Sequence, residues 1–142
     1  MELIIRKAKV CDIPYLLEMN DKFNGSGATV TSMTDSLENN MGEIVLVALV
    51  KDVAVGFICG QLYKSICYAD GLVAELTELY VHEGYRRKGI AAKLVSALEA
   101  KFLESNANEI IVKTGDDNKE AQGLYLHCGY EDYEETVFFK EI

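Results

Sequence analysis

Between Glu75 and Lys101 the chain reads ELTELYVHEGYRRKGIAAKLVSALEAK, and no other stretch restricts the fold so tightly. It has the pattern of a strand, a loop carrying Arg86, Gly89 and Ala91 at R-x-x-G-x-A spacing, and a long amphipathic helix. Ile90, Leu94, Leu98 and Phe102 recur every four residues, with Ala91, Val95 and Ala97 near them. That spacing gives the helix one buried face. A loop opening directly into a helix aims several unpaired N–H groups at one point, and the helix dipole adds partial positive charge there. Such a site suits an anion, typically a phosphate. Gly89 and Ala91 bring little or no side chain, so a bulky ligand can reach the main chain. Arg86 and Arg87, two of the three arginines, stand in this loop beside Lys88, in a chain of net charge −9.

A second segment, Asn118 to Tyr130, reads N-x-x-A-x-x-L-Y-x-x-x-G-Y through Asn118, Ala121, Leu124, Tyr125, Gly129 and Tyr130. With the R-x-x-G-x-A loop upstream, in this order and at this distance, it resembles the GNAT superfamily of acetyl-CoA-dependent N-acetyltransferases. The resemblance covers residues 43–140 and reaches the N-terminal segment by pattern alone. Ala91 stands where many members have glycine; alanine is the smallest alternative. The resemblance implies an α/β (α+β) fold with a mixed central sheet, helices on both faces, and central parallel strands that splay to admit acetyl-CoA.

The rest of the chain agrees with that architecture. Leu3 to Lys9 alternates as an edge strand, and Asp12 with Pro14 starts a helix running to Lys22. Ser32 to Met41 reads as a second helix, with Ser32 and Asp35 at capping-box spacing and Gly42 as its stop. Strands follow at Glu43–Val50 and Val53–Tyr63 around a Lys51-Asp52 turn, then at Leu72–Val81. After the long helix come a short strand at Glu109–Thr114, a helix at Asn118–Cys128 capped by Asp117 or Asn118, and a strand at Thr136–Lys140. This order implies a mixed sheet, with the unit from Leu72 to Thr114 parallel and right-handed. At 142 residues the chain is read as one domain, 1–142.

Composition narrows the partners. With 49% hydrophobic residues the chain is expected to be globular, and apolar runs such as Ile44–Val50 are far short of a membrane span. No secretory signal is evident, so the cytoplasm is the expected location. Cys11, Cys59, Cys67 and Cys128 form no C-x-x-C pair, and with only His82 and His127 they make no recognisable zinc set; no metal is expected. Cys59 and Cys128 read as small buried hydrophobes. His127 and Cys128, adjacent on a helix, point about 100° apart and do not pair. The acidic balance argues against nucleic acid and suits a cationic substrate.

Acetylating an amine requires the neutral base, and for a lysine-like amine of pKa about 10.4 that costs roughly 4–5 kcal/mol at pH 7. A carboxylate can take the proton directly or through one water. Glu75 and Glu78 lie on the strand leading to the loop; alternation sends them to opposite faces unless a bulge intervenes, so one of the two lines the cleft. Glu75, eleven residues before Arg86, matches the base of histone-type members and is the first choice. Tyr125 matches the family position of the general acid, although Ala121, Leu124, Tyr125 and Cys128 also share one helical face. The resemblance further implies cofactor contacts from Val81 (main chain, to pantetheine and the developing oxyanion), from Arg86, Arg87, Lys88, Gly89, Ile90 and Ala91 (pyrophosphate), and from Asn118 with Tyr125 (pantetheine arm and sulfur). Tyr80 is expected to pack.

Val73–Val95, the Asp116-Asp117-Asn118 helix start and the Gly129–Phe139 ending look most like small-molecule amine acetyltransferases, including aminoglycoside N-acetyltransferases. The expected acceptor is a small cationic amine, held by acids at Asp70, Glu75, Glu78, Asp116 and Asp117. The alternatives are a protein or peptide amine acetyltransferase and a silent acyl-CoA-binding module, which would need neither Glu75 nor Tyr125. A homodimer is compatible with every one of these readings.

Overall fold

The computed structural model describes residues 1–69 and 72–142. Five strands form one sheet in sequence order: β1 (Leu3–Lys7), β2 (Glu43–Val50), β3 (Val53–Tyr63), β4 (Leu72–Val81) and β5 (Ala107–Val112). The first four pair antiparallel and β4 pairs parallel with β5. Helices α1 (Ile13–Asn24) and α2 (Val30–Asn39) cover one face; α3 (Ile90–Glu104) and α4 (Lys119–His127) cover the other. This is the expected mixed sheet with helices on both faces.

The near-continuous apolar run of β2 follows from that double cover. Leu46, Ala48 and Val50 pack with the α3 face, while Val47 and Leu49 pack with Leu16 and Met19 of α1. A strand buried on both sides needs apolar residues at every position. The hairpin to β3 closes through Lys51 and Asp52, both with positive φ (52° and 65°), the two-residue turn whose twist matches its flanking strands. Gly60 on β3 lies under α3, where a Cβ would overlap the Phe102 ring.

Several boundaries differ from the sequence reading. Helix α2 begins two residues early because Thr29, not Ser32, is its cap: the Thr29 hydroxyl accepts from the Ser32 N–H at 3.0 Å, and the Thr29 N–H donates to Ser32 Oγ at 2.8 Å. The β-branched Thr29-Val30-Thr31 run concealed that start. Asp12 does not cap α1. Its carboxylate accepts from Arg6 at 2.7 Å and from the Lys9 N–H at 2.7 Å, closing the 3₁₀ turn that precedes the helix. Strand β5 is shifted two residues toward the N-terminus. The strand expected at Thr136–Lys140 is not formed. Its alternation is strand-like, but a strand needs a partner, and residues 131–142 are exposed and pair with none of the described strands.

Candidate active site

Strands β4 and β5 stay paired only from Leu72–Ala107 to Leu76–Val112. Beyond that, β4 runs on through Thr77–Val81 with no neighbour on its β5 side, which is the splay expected of the two parallel strands. The main chain there can be oriented from its ladder. The His82 N–H donates to Val55 O at 2.7 Å, so the adjacent Gly56–Val81 pair is a non-hydrogen-bonded one. The Val81 N–H and C=O therefore turn away from β3 and toward the gap. The carbonyl accepts from Arg86 Nε at 2.7 Å. The N–H is left facing the opening, and a main-chain donor there calls for an acceptor.

The loop after β4 turns through two left-handed residues, Arg87 (φ 62°) and Gly89 (φ 80°), and delivers Gly89 as the cap residue of α3. No side chain caps this helix, so its first-turn N–H groups remain available. A Cβ built on Gly89 would meet no atom within 4 Å, so this side of the loop is open to a ligand. The exposed Arg87 and Lys88 stand beside it. Arg86 is placed differently: besides its bond to Val81 O, its guanidinium lies 5.4 Å from the centroid of the Tyr80 ring. It braces the loop against β4. Tyr80 is buried and packs against Phe57 and Phe23, as expected of it.

The pairing of β3 with β4 skips one residue, with Cys59 opposite Glu78 but Gly60 opposite Leu76. Thr77 is the extra residue of this bulge. Because a bulge resets the alternation, Glu75 and Glu78 share one face, not opposite faces. Their partners Gln61 and Cys59 are two residues apart on β3, hence on that same face. Glu43 of β2 joins them, opposite Gln61 and accepting from its amide at 3.3 Å. Three glutamates thus line the α1/α2 face of the sheet. Glu43 and Glu78 border a cavity of about 250 Å³ whose walls include Leu16, Met33, Val45 and Phe57.

The two candidate bases differ in their partners. Glu75 accepts from the Tyr63 hydroxyl at 3.0 Å and lies 3.6 Å from Lys113 Nζ; this carboxylate holds the Tyr63 phenol above its usual range. Among the described residues Glu78 has a single long contact, 3.4 Å, from Asn24 Nδ2. Burial pushes the Cys59 thiol up, and the charges of Glu43 and Glu78 add to this, so it sits in the same wall as a neutral group. Among the described residues no group of three or more His, Cys, Asp or Glu is placed to hold a metal ion.

Asn118 is the cap of α4, its Oδ1 accepting from the Ala121 N–H at 3.1 Å. Tyr125, about two turns on, is 9% exposed and meets the Tyr130 ring edge to face at 5.8 Å. Burial raises its hydroxyl to about 12, with a smaller contribution from Cys128. Asp116 and Asp117 are exposed in the loop before α4, and Asp70 lies outside the described residues. Glu43, Tyr63 and Asn24 had no motif to flag them; strand pairing brings Glu43 and Tyr63 to the site, and Asn24 reaches Glu78 from the end of α1.

Residues 13–130 match the sequence profile of the Acetyltransferase (GNAT) family. An uncharacterized N-acetyltransferase of Chlorobaculum tepidum is 26% identical over 140 residues, covering 97% of this chain and 81% of that protein. Two solved structures share the fold. An aminoglycoside acetyltransferase from an uncultured soil metagenomic sample, in complex with sisomicin, superposes with TM-score 0.84 at 22% identity, over 99% of this chain and 95% of that one. The aminoglycoside N-acetyltransferase AAC(6')-Iy, in complex with the bisubstrate analog CoA-S-monomethyl-acetylneamine, gives 0.86 at 17% identity, over 100% and 99%.

Proposed function

The chain belongs to the Acetyltransferase (GNAT) family and is an N-acetyltransferase, and from that premise we propose that it acetylates a primary amine of a small cationic molecule, of aminoglycoside or polyamine type, within a single domain spanning residues 1–142. The observation that carries the acceptor is the trio Glu43, Glu75 and Glu78 on one face of the sheet, above an apolar-walled cavity and beside the opened β4 edge. Opposite charges a few ångströms apart gain roughly 1–4 kcal/mol each, depending on local dielectric, so two such contacts select a polycation. The neighbours that bind sisomicin and a CoA–neamine conjugate lend support through the shared fold.

For acetyl-CoA the residues fit. The uncapped start of α3 with Gly89, Ile90 and Ala91 would receive the pyrophosphate through main-chain N–H groups, with Arg87 and Lys88 adding charge. The Val81 N–H would take the pantetheine arm or the carbonyl oxygen of the acetyl group, and Asn118 and Tyr125 would flank the sulfur. When bound, acetyl-CoA supplies an activated acetyl group as its thioester. Arg86 acts as a positioning residue, fixing the loop to the carbonyl of Val81.

Glu78 serves as the base. Its carboxylate lines the cavity with one weak partner, so it is free to accept the ammonium proton, while Glu75, tied to Tyr63 and Lys113, and Glu43 hold positive charge on the acceptor. Tyr125, at about 12, stays protonated throughout the neutral range. A thiol ionises near 8.5, about 3.5 units lower than this phenol, so Tyr125 steadies the departing sulfur mainly as a hydrogen-bond donor.

The test is thiol release from acetyl-CoA over a panel of polyamines, aminoglycosides, amino acids and peptides, at low and high ionic strength. We expect turnover with polycationic small amines and a kcat/KM that falls as salt rises. Turnover confined to neutral amines or peptides, or a flat salt profile, overturns the acceptor assignment. Tight acetyl-CoA binding without turnover on any amine leaves the silent acyl-CoA-binding module in its place.

A further inference from the structure

The cavity that Glu43 and Glu78 border holds about 250 Å³, below the roughly 300–1,000 Å³ of sites for drug-sized ligands. Leu16, Met33, Val45 and Phe57 give it apolar walls. Among the described residues neither carboxylate has a cationic partner. Glu43 accepts from Ser36 Oγ at 2.8 Å and from Gln61 Nε2 at 3.3 Å, and the contact of Glu78 is with the amide of Asn24. Neutral donors orient a carboxylate and leave its charge uncompensated. Glu75, which does not border the cavity, is already met by Lys113 at 3.6 Å.

Strand pairing sets the distance between the two free charges. Val45 and Glu78 both stand opposite Cys59, and Glu43 is two residues before Val45. Two strand spacings of about 4.8 Å and two residues of about 3.3 Å put the Glu43 and Glu78 Cα atoms roughly 12 Å apart, with Val45 and Cys59 between them. Burial and both carboxylate charges keep the Cys59 thiol neutral, so the floor between the acids is apolar. A ligand that satisfies this cavity has two cationic ends and an apolar middle.

Resting on the small-cationic-amine reading above, we propose that the acceptor is an unbranched terminal diamine and that Glu43 selects its length. One ammonium lies at Glu78, gives its proton to that carboxylate and takes the acetyl group, with CoA leaving as the thiol. The other stays charged on Glu43, and the methylene chain lies over Val45 and Cys59. Side chains rising from one face of a sheet keep about their Cα separation, and an N–H···O bond of about 2.8 Å at each end leaves roughly 6–7 Å between the nitrogens. At about 1.2 Å per bond of extended chain, that is about four or five methylenes. At about 30 Å³ per non-hydrogen atom, the liquid share of a water, such a molecule needs about 200 Å³ and fits. A two-ring aminoglycoside, with roughly 20 such atoms, needs more than twice the cavity on the same measure. Its ring hydroxyls would also meet Leu16, Met33 and Phe57 without hydrogen-bond partners.

The experiment measures thiol release from acetyl-CoA with the terminal diamines of propane through octane, the straight-chain monoamine of each length, and sisomicin. The kcat/KM is expected to peak at about four or five methylenes and there to exceed the matching monoamine and sisomicin at least about tenfold. Glu43→Gln keeps the shape and removes the charge, and is expected to bring the ratio of diamine to monoamine close to one. Glu43→Asp draws the carboxylate back by one methylene and is expected to move the peak to a longer diamine, a shift that a merely structural role would not produce. CoA affinity, read on both variants, reports that each is folded. A flat chain-length profile overturns the proposal, as does sisomicin turned over as well as the best diamine, or a Glu43→Gln variant that keeps the diamine preference. Each of these leaves the small-amine reading standing. Absence of turnover on every amine, with CoA bound, removes that reading and this proposal together.

Discussion

Replacing Gly89 with valine separates a cost to folding from a cost to ligand binding. In the protein itself the change is cheap to accommodate sterically, because a Cβ at this position meets nothing within 4 Å. The remaining cost is the left-handed backbone at φ 80°, about 1–2 kcal/mol for a residue with a Cβ and somewhat more for a β-branched one. The volume that the side chain enters is the volume assigned to the pyrophosphate. Charge-assisted hydrogen bonds to main-chain N–H groups contribute about 1.5–3 kcal/mol each. Displacing the anion from one or two of them costs about 2–4 kcal/mol, or roughly 30- to 1,000-fold in Kd. Isothermal titration with CoA reads this directly, and a parallel denaturant melt reads the stability. The expected result is a folded protein whose affinity for CoA has dropped at least 30-fold. An affinity within threefold of wild type, in a protein with the strained backbone intact, would refute the placement of the pyrophosphate on this loop.

Four further substitutions test the other assignments. Tyr125→Phe should leave the affinity for acetyl-CoA unchanged and lower kcat at least tenfold. In the wild type no loss of kcat from this group should occur up to about pH 10.5, because its hydroxyl titrates only near 12; a loss below threefold in a chemistry-limited assay returns Tyr125 to packing. Glu78→Gln should cost about 100-fold in kcat/KM at pH 7 and progressively less as pH approaches the pKa of the amine, whereas Glu75→Gln should chiefly raise KM for the acceptor; the reverse ranking would assign the base to Glu75. Burial works against the Asp12 carboxylate, but its hydrogen bonds to Arg6 and the Lys9 N–H outweigh this and hold it below the usual range. Its stabilisation is therefore present above the unfolded carboxylate pKa, near 4, and is lost as pH falls through the lower folded value. Asp12→Asn should cost about 1–3 kcal/mol at pH 7 and little at pH 2 by thermal melts; an equal cost at both would refute the ion-pair account.

What could be read from the sequence, and what could not, follows from the range of the interactions involved. The β2–β3 hairpin and β4 were legible to the residue because their patterns are local: two positive-φ residues between apolar runs, and an apolar run bounded by turn residues. The turn that opens into α3 was legible for the same reason. Helix α2 was misplaced at its start because β-branched residues carry poor helix propensity, and the Thr29–Ser32 box overrides it. Thr136–Lys140 has the composition of a strand, but pairing is a property of two segments, and composition reports only one. Glu43 was illegible as a site residue because it comes to the acidic face through β2–β3 register alone.

The bulge at Thr77 is where local reading and function part most instructively. Alternation along LVAELTELYV puts Glu75 and Glu78 on opposite faces, and nothing in those ten residues signals the slip. On the partner strand the slip falls beside Gly60, where a Cβ would overlap the Phe102 ring of α3. With the slip, β4 can serve both reactants of the proposed reaction. Its unpaired edge would offer the Val81 N–H to the acetyl donor, and its α1/α2 face would offer Glu78 to the amine. The two reach the same strand from perpendicular directions, one along the plane of the sheet and one onto its surface. Attack on a thioester carbonyl requires that crossing, since the nucleophile must approach out of the plane that holds the oxygen and sulfur. A β4 without the bulge would turn Glu78 toward the α3 core and, by the same one-residue slip, turn the Val81 N–H away from the gap and toward β3.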